Sequence, residues 1–398
     1  MLVAIGGLLA THARWLASGP RDPRFVRFLR RYDRRANAAD FLPPHGTAVD
    51  HEGRTLDVAV EGSAFQHVLD DLSLSSGGRA AVQLSLDAGL QERAEALMSG
   101  KRGAVVAIEP TTGRIRALVS APRTASLDRA LNGLYPPGSV FKVFVAAAAL
   151  SADVDPVFDC PAGGYRSSRA TPPIRDVEAR QDRRWKGFGR MGMGEALVHS
   201  SNTYFAQLGV RLGTTLFSDA VAAAKLRDPA VVLSGTSVGL EASGCGVPDG
   251  LRPPELAPVA IGQGALQLTP LSVALLTSAV ADDGLMLEPT LSPSARPRLR
   301  ARPFTCSAAA RVKKMMRAAV RQGTGRACDL PALSVCGKTG TAETGRGADH
   351  SWFTCFAPMD APRLAVTVLV ENGGFGARAA LPVAREILLE ADRQGLLE

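Results

Sequence analysis

The stretch Tyr135-Pro136-Pro137-Gly138-Ser139-Val140-Phe141-Lys142-Val143-Phe144-Val145-Ala146, which runs on through alanines to Leu150, limits what the chain can fold into more than any other. Pro137 and Gly138 break whatever precedes them and no breaker follows, so a helix is predicted from Ser139 onward. Its side chains are apolar almost all round, the mark of a helix buried on every side. Ser139 and Lys142 interrupt it, three residues apart and therefore on one face. Low dielectric favours the neutral amine of a buried lysine, and an amine of lowered pKa is a base. Ser139, within its reach, stands at the positive end of the helix dipole, where a developing anion is stabilised. A hydroxyl so placed is an activated nucleophile. The plainer alternative is a serine that only caps its helix.

At 398 residues the chain has room for two domains, or for one large domain with an appendage. Its 46% hydrophobic and 21% charged residues can build a substantial core. The formal net charge of +8 comes mostly from arginine, yet no interleaved aromatics, zinc-finger spacing or nucleic-acid motif accompany it. Nucleic acid is therefore not expected as a partner, and an anionic envelope polymer or lipid surface suits the charge equally well. The six cysteines, Cys160, Cys245, Cys306, Cys328, Cys336 and Cys355, show no Cys-x-x-Cys spacing. Neither a zinc site nor a thioredoxin-type motif follows, and no metal or cofactor is expected. Most of these thiols are expected to be free and buried, although an even count permits disulfides in an oxidising compartment.

Residues 2–10 are apolar, and Trp15-Leu16-Ala17 continues the run after His12 and Arg14. This is shorter than the roughly 20 residues of a spanning helix, so residues 1–18 are expected to be a membrane anchor or a signal remnant. Arg21, Arg24, Arg27, Arg30, Arg31, Arg34 and Arg35 follow the run and no basic residue precedes it, which by the positive-inside tendency would leave the body cytoplasmic. Residues 19–79 form a short N-terminal region, with a strand, a turn at Glu52-Gly53 and a second strand over 43–56, and a polar linker over 75–79. A strand over 82–86 then enters a helix capped by Asp87, with Leu90, Ala94 and Leu97 on one face.

Two strands, 104–108 and 115–119, flank the turn Pro110-Thr111-Thr112-Gly113. The pattern is helical from Ser139 to about residue 280, apart from a long basic loop over 163–190. After a Pro/Arg-rich loop at 287–303 come a helix over 308–321, strands over 333–341, 351–356 and 364–370, and a last helix over 378–393. Strands at both ends and helices between them imply an α+β fold: a five-stranded antiparallel sheet flanked by helices, with an inserted all-helical lobe and a short N-terminal segment.

Two further stretches carry chemistry. His199-Ser200-Ser201-Asn202-Thr203-Tyr204-Phe205 separates two helical runs. It suits a helix-to-helix turn with an N-cap, or a site in which Ser200 relays a proton and Asn202 fixes a substrate amide. Cys336-Gly337-Lys338-Thr339-Gly340-Thr341-Ala342-Glu343 reads as a strand whose glycines mark close approach of another backbone. Gly340 would leave room for a substrate peptide, Lys338 would hold positive charge, and Thr339 and Thr341 would bind a carboxylate. The plainer alternative is a glycine-rich strand edge with a solvated lysine.

Ser139-x-x-Lys142, Ser200-x-Asn202 and Lys338-Thr339-Gly340, in that order, resemble the signature of the penicillin-recognising serine transferases. Their spacing is similar to that of the high-molecular-weight penicillin-binding proteins of the class B type. Tyr135-Pro136-Pro137-Gly138, Ala260-Ile261-Gly262-Gln263-Gly264 with Thr269-Pro270, and His350-Ser351-Trp352-Phe353 agree with that group, and the resemblance covers about residues 80–395. It implies a peptidoglycan D,D-transpeptidase whose Lys142 deprotonates Ser139 for attack on the carbonyl between two terminal D-alanines. Backbone N–H groups of Ser139 and Thr341 would form the oxyanion hole, and Ser200, near Lys338, would protonate the leaving amine. A second stem peptide would resolve the acyl-enzyme, and a β-lactam would stop at the acyl stage. The implied partners are stem peptides ending in D-Ala-D-Ala, β-lactams, a membrane glycan polymerase and the inner membrane. The catalytic domain would lie in the periplasm or extracytoplasmic space, against the charge rule. His45-Gly46-Thr47 with Asp50-His51-Glu52-Gly53 matches only loosely the Arg-Gly and Asp-Arg-x-Gly pattern usual ahead of the domain.

Rival assignments remain open at this level. Gly235-Thr236-Ser237-Val238-Gly239 matches the nucleophile elbow of α/β-hydrolases, but its flanks lack the alternating strands and helices of that fold. A β-lactamase shares the serine, lysine and Lys-Thr-Gly elements, yet no clear Glu-x-x-Leu-Asn segment is present to activate a deacylating water. A D,D-carboxypeptidase of the same fold differs only in its acceptor, and a penicillin-binding scaffold or sensor would keep the pocket without turnover. His199 is expected to be a neighbour of the site rather than its base.

Overall fold

The computed structural model describes residues 48–54, 82–122, 127–233, 239–345 and 347–398. The expected anchor at 1–18, the linker at 75–79 and the elbow at Ser237 lie outside the described residues. Among the described residues no helix is long and apolar enough to cross a membrane.

The centre is a five-stranded sheet drawn from both ends of the chain: β1 (Gly103–Ile108), β2 (Ile115–Ala121), β3 (Cys336–Ala342), β4 (His350–Ala357) and β5 (Leu364–Val370). Their order is β3-β4-β5-β1-β2 and every pairing is antiparallel, as the strand pattern predicts. β1 and β5 are unbroken apolar runs because both faces of the sheet are covered. Helices α1 (Ala88–Met98) and α8 (Ala380–Arg393) pack on one face, with Leu90, Val105, Val366, Phe353 and Ile387 in a shared core. The other face carries the helical lobe: α2 (Lys142–Ser151), α3 (Met193–His199), α4 (Asn202–Ala223), α5 (Pro253–Ala260), α6 (Pro270–Ala281) and α7 (Cys306–Gln322). α6 is buried against the sheet and almost wholly apolar; of its two buried hydroxyls Thr277 is satisfied, meeting Thr354 at 2.7 Å, which in turn meets Thr367 at 2.7 Å, while that of Ser278 has no partner.

Caps set the helix starts. Asp87 accepts from the Leu90 N–H at 2.8 Å, as expected for a cap, and Thr305 accepts from Ala308 at 3.2 Å, which begins α7 two residues before the expected 308. The lobe is mainly helical, and to its helices it adds three ribbons: Phe158–Pro161 with Gly187–Met191, Ala230–Leu233 with Gly239–Ala242, and Met286–Leu287 with Leu299–Ala301, the last largely within the stretch expected to be a Pro/Arg-rich loop. These strands are too short to show a two-residue period in the sequence. The strand expected over 333–341 begins only at Cys336, because Pro331–Leu333 is a 3-10 turn and Ser334 takes a left-handed backbone (φ 47°). All six cysteines are unpaired, and all but Cys306 are buried.

Ahead of the domain, Ala48–Val49 pairs in parallel with Val82–Gln83, and the chain turns over residues 51–53. The fully buried carboxylate of Asp50 accepts from the backbone N–H of Glu52 (2.9 Å), Arg54 (2.8 Å) and Ala88 (3.2 Å) and from Arg54 Nε (2.7 Å). Ala88 is the first residue of α1, so a side chain from the N-terminal segment satisfies one of its orphan donors. Burial alone would raise the Asp50 carboxyl, but these hydrogen bonds outweigh it and hold the group below its ordinary value. Asp50, His51 and Asp87 bring their ligand atoms within 4.8 Å of one another, but Arg54 bridges Asp50 and Asp87 (2.7 and 3.2 Å) and supplies the positive charge. Replacing Asp50 by alanine strands four donors, and the expected loss is about 2–3 kcal/mol in urea unfolding at neutral pH. Because the carboxyl is held low, the wild-type advantage is full above about pH 4 and disappears as pH falls below it. An unchanged midpoint would show that the segment contributes nothing to the fold.

Candidate active site

Ser139 does not stand on the first turn of an α-helix as predicted. It lies in a 3-10 turn, Gly138–Phe141, that leads into α2 at Lys142. In a 3-10 turn residues three apart eclipse one another, so the tighter winding still sets Ser139 and Lys142 on one side. Ser139 is half-buried, and its Oγ has no hydrogen-bond partner among the described residues. Lys142 is fully buried at the foot of the site. Its Nζ donates to the Ser200 carbonyl (2.6 Å) and to Asn202 Oδ1 (2.7 Å), reaches Ser200 Oγ at 3.4 Å, and lies 5.7 Å from the centre of the Phe205 ring.

The turn between α3 and α4 is the expected helix-to-helix turn with an N-cap, and Asn202, expected to fix a substrate amide, has both ends of its own amide bound within the protein. Ser201 is the N-cap of α4, accepting from Tyr204 at 3.1 Å, while its two neighbours face the lysines. Ser200 takes a left-handed backbone (φ 58°), uncommon for a residue with a Cβ, and that conformation turns its side chain toward the sheet. Lys338 Nζ, fully buried on β3, donates to Ser200 Oγ at 2.8 Å and to the Thr339 carbonyl at 3.0 Å. One hydroxyl thus sits between two buried amines. Asn202 Nδ2 donates to the Arg175 carbonyl at 3.1 Å, and its backbone N–H donates to Asp176.

Burial pushes Lys142 down to about 7, against a smaller upward pull from Asp176 and Glu178. Lys338 is driven well below its ordinary value by burial and by the charge of Lys142. The pair therefore favours a neutral amine beside Ser139, which can accept a proton at neutral pH. Thr339 and Thr341 flank this centre with their side chains already engaged. Thr339 meets the Thr324 hydroxyl at 2.6 Å, and Thr341 Oγ1 accepts from the Gly376 N–H at 3.3 Å.

The loop that carries Ser139 is fixed by contacts with three other elements. Gly138 (φ 55°) donates to the Gly262 carbonyl at 2.9 Å, and a Cβ on Gly138 would stand 2.4 Å from the Thr341 carbonyl oxygen. Trp352 Nε1 donates to the Pro136 carbonyl at 3.0 Å. Tyr135, which precedes it, donates to Glu371 at 2.7 Å, and Arg129 and Arg102 donate to the same carboxylate at 2.7 and 3.0 Å. Gly340 differs from expectation: the room it leaves is filled by the protein itself, since a Cβ there would lie 2.9 Å from Val140, 3.0 Å from Trp352 and 3.1 Å from the Pro137 carbonyl. The glycine lets the serine loop seat on β3.

Ser139, Lys142, Ser200, Asn202 and Lys338, named from sequence, converge in this one place. His199 does not join them: it is exposed and lies against Phe188, ring centres 5.0 Å apart. Sequence reasoning missed Thr324, Asp176 and the Glu371 anchor of Tyr135. Thr324 carried a weak signal as a hydroxyl between Gly323 and Gly325, and Asp176 as a carboxylate in an arginine-rich loop; Glu371 carried none.

The family model described as the penicillin binding protein transpeptidase domain matches residues 103–389. The peptidoglycan D,D-transpeptidase PbpA of Mycolicibacterium smegmatis is 30% identical over 354 residues, 74% of this chain and 68% of that protein. The D,D-transpeptidase domain of a peptidoglycan glycosyltransferase from Eggerthella lenta superposes with a TM-score of 0.76 at 27% identity, over 89% of this chain and 99% of that one. Penicillin-binding protein A from M. tuberculosis, as an imipenem acyl-enzyme complex, superposes with a TM-score of 0.74 at 25% identity, over 87% and 98% of the two chains.

Gly340→Ala is expected to push the serine loop off β3, at a cost of about 1–3 kcal/mol from overpacking. Thermal unfolding should register that loss, and labelling of Ser139 by a fluorescent penicillin should slow by about tenfold or more. Labelling at the wild-type rate would show that the loop does not depend on that glycine.

Proposed function

The chain belongs to the penicillin-binding protein transpeptidase domain family, and on that footing we propose that it is a serine-type peptidoglycan D,D-transpeptidase, cross-linking stem peptides through an acyl-enzyme on Ser139 and acylated there by β-lactams. The observation that carries the proposal is the fully buried Lys142, held by Ser200 and Asn202 while Lys338 meets the same Ser200 hydroxyl. A donor peptide ending in D-Ala-D-Ala would lie along β3, which is an edge of the sheet and so has backbone groups to offer an added strand. Neutral Lys142 takes the Ser139 proton as Oγ bonds to the penultimate carbonyl carbon. The oxyanion is received by the backbone N–H groups of Ser139 and Thr341, each worth about 3 kcal/mol to the barrier. When the tetrahedral centre collapses, the C–N bond breaks, and Ser200 delivers to the departing amine a proton drawn from the two lysines. An amine of a second stem peptide then attacks the ester, forms the cross-link and returns Ser139 to its hydroxyl.

We assign Thr339, Gly340 and Thr341 to the strand that receives the substrate, with the two threonine side chains tuning its shape rather than standing free for a ligand. Residues 80–395 form the catalytic unit in this proposal, with the segment before it leading toward the inner membrane and the domain in the extracytoplasmic space. A membrane glycan polymerase that supplies new strands is its natural partner.

Incubation with a fluorescent penicillin, followed by mass mapping of the adduct, should place one label on Ser139 and none on Ser139→Ala. A thioester or peptide donor should turn over in the wild type, and an added amine acceptor should divert product from acid to amide. Label without turnover would mark a scaffold or sensor, and hydrolysis indifferent to amine would mark a carboxypeptidase. The acylation rate should fall about tenfold per pH unit below about 7, as Lys142 becomes protonated, and level off above it. A rate independent of pH between 5 and 8 would remove Lys142 as the base.

A further inference from the structure

Asp176 belongs to neither the expected motif set nor the basic character of the loop that bears it. It is 2% exposed. One carboxylate oxygen, Oδ1, accepts from the backbone N–H of Asn202 and from that of Thr203 at 3.0 Å, the first two residues of α4. Such donors are orphans at a helix start, and an anion there is also favoured by the helix dipole. The other oxygen, Oδ2, is buried and has no hydrogen-bond partner, and Thr203 Oγ1 is likewise buried and unpaired. A buried carboxylate with one oxygen unbonded is costly unless a cation balances it.

An ionisable amine is reached through one residue. Asn202, whose N–H Asp176 holds, accepts from Lys142 Nζ at 2.7 Å, and its Nδ2 is held by the carbonyl of Arg175, the residue before Asp176. The groups that face Lys142 are Lys338 from β3, Ser200 and Asn202 from the α3–α4 turn, the Phe205 ring from α4, and Asp176 and Glu178 from the 163–190 loop. The negative charge among them is Asp176, buried, and Glu178, half-buried. Cys160 also lies near Asp176, but burial pushes its thiol up to about 11, so it brings no charge at neutral pH.

Resting on the acyl-enzyme proposal, we infer that Asp176 is a positioning residue for Ser139 acylation: it clamps the start of α4 so that Asn202 faces Lys142, and its carboxylate, with one buried oxygen unbonded, is the counter-charge to the Lys142–Lys338 pair. The first task is geometric and the second electrostatic, and one substitution separates them. Asp176→Asn keeps the oxygen that caps α4 and removes the charge; Asp176→Ala removes both.

The test is the titration of Lys142, followed by NMR in protein carrying 13C-labelled lysine, with the Lys142 signal assigned by its loss in Lys142→Arg. Asp176→Asn should lower the Lys142 midpoint by roughly half a unit to one unit, because a removed anion no longer favours the ammonium. The acid limb of the penicillin acylation profile should move to lower pH by the same amount, with the alkaline plateau within about threefold of wild type. Asp176→Ala should lower the plateau by about tenfold or more, as Asn202 is released. An unmoved Lys142 midpoint in Asp176→Asn would overturn the electrostatic role, and a wild-type plateau in Asp176→Ala would overturn the clamp. Loss of wild-type labelling at Ser139 would instead defeat the acyl-enzyme proposal, while the lysine titration still judges Asp176 by itself.

Discussion

Two lysine side chains are taken out of water and pointed at one serine hydroxyl, and much of the lobe is arranged around what that costs. Withdrawing an ammonium from water costs several kcal/mol even after relaxation, and a second one nearby adds repulsion. The molecule relieves this by letting the amines lose protons and by giving them neutral acceptors: the Ser200 and Thr339 carbonyls, the Asn202 side chain and the Ser200 hydroxyl. The same environment that makes the site expensive makes it chemically useful, since an amine near neutrality is a base and a hydroxyl between two amines can pass a proton either way. The apolar wall of α2, with Phe141, Phe144 and Phe205 buried around it, keeps the dielectric low enough for the effect to persist.

Rigidity comes from backbone packed on backbone. Gly138, Gly262 and Gly340 mark a junction where the serine loop, the turn after α5 and β3 meet at distances that no side chain would permit. The sheet acts as a ruler for this junction: the β3–β4 register sets Gly340 opposite Trp352, and Trp352 in turn holds the Pro136 carbonyl. Ser139, which belongs to the helical lobe, is thereby fixed with respect to Lys338, which belongs to the sheet. The Arg180–Glu343 pair, 2.7 Å apart, joins the basic loop to the end of β3 on the same side, though both partners are exposed and contribute little stability.

Much of this was legible in the sequence. An apolar helix interrupted by Ser139 and Lys142, two polar stretches at Ser200 and Lys338, and strands at both ends of the domain announce the sheet, the lobe and the five residues that converge. Local chemistry set those features: breakers, caps and hydrophobic period act over a few residues and can be read without knowing the rest of the chain. The same locality explains the misses. Whether Ser139 opens an α-helix or a 3-10 turn depends on how Gly138 meets Gly262 and Thr341, and whether Gly340 gives room to a ligand or to the protein depends on which element crosses it.

Tertiary structure alone decided the partners. Glu371 is far along the chain from Tyr135, Asp176 from Asn202, and Thr324 from Thr339, and no period or motif links them. The left-handed turn at Ser200 and the two donors at the start of α4 that Ser201 leaves to Asp176 are demands created by packing, and the residues that answer them come from wherever the chain passes. Sequence therefore determined the chemistry available and the elements that carry it, because those follow from side-chain type and local spacing. The fold decided which amine is a base, which carboxylate balances it and which glycine is indispensable, because burial and close approach exist only once distant segments have met.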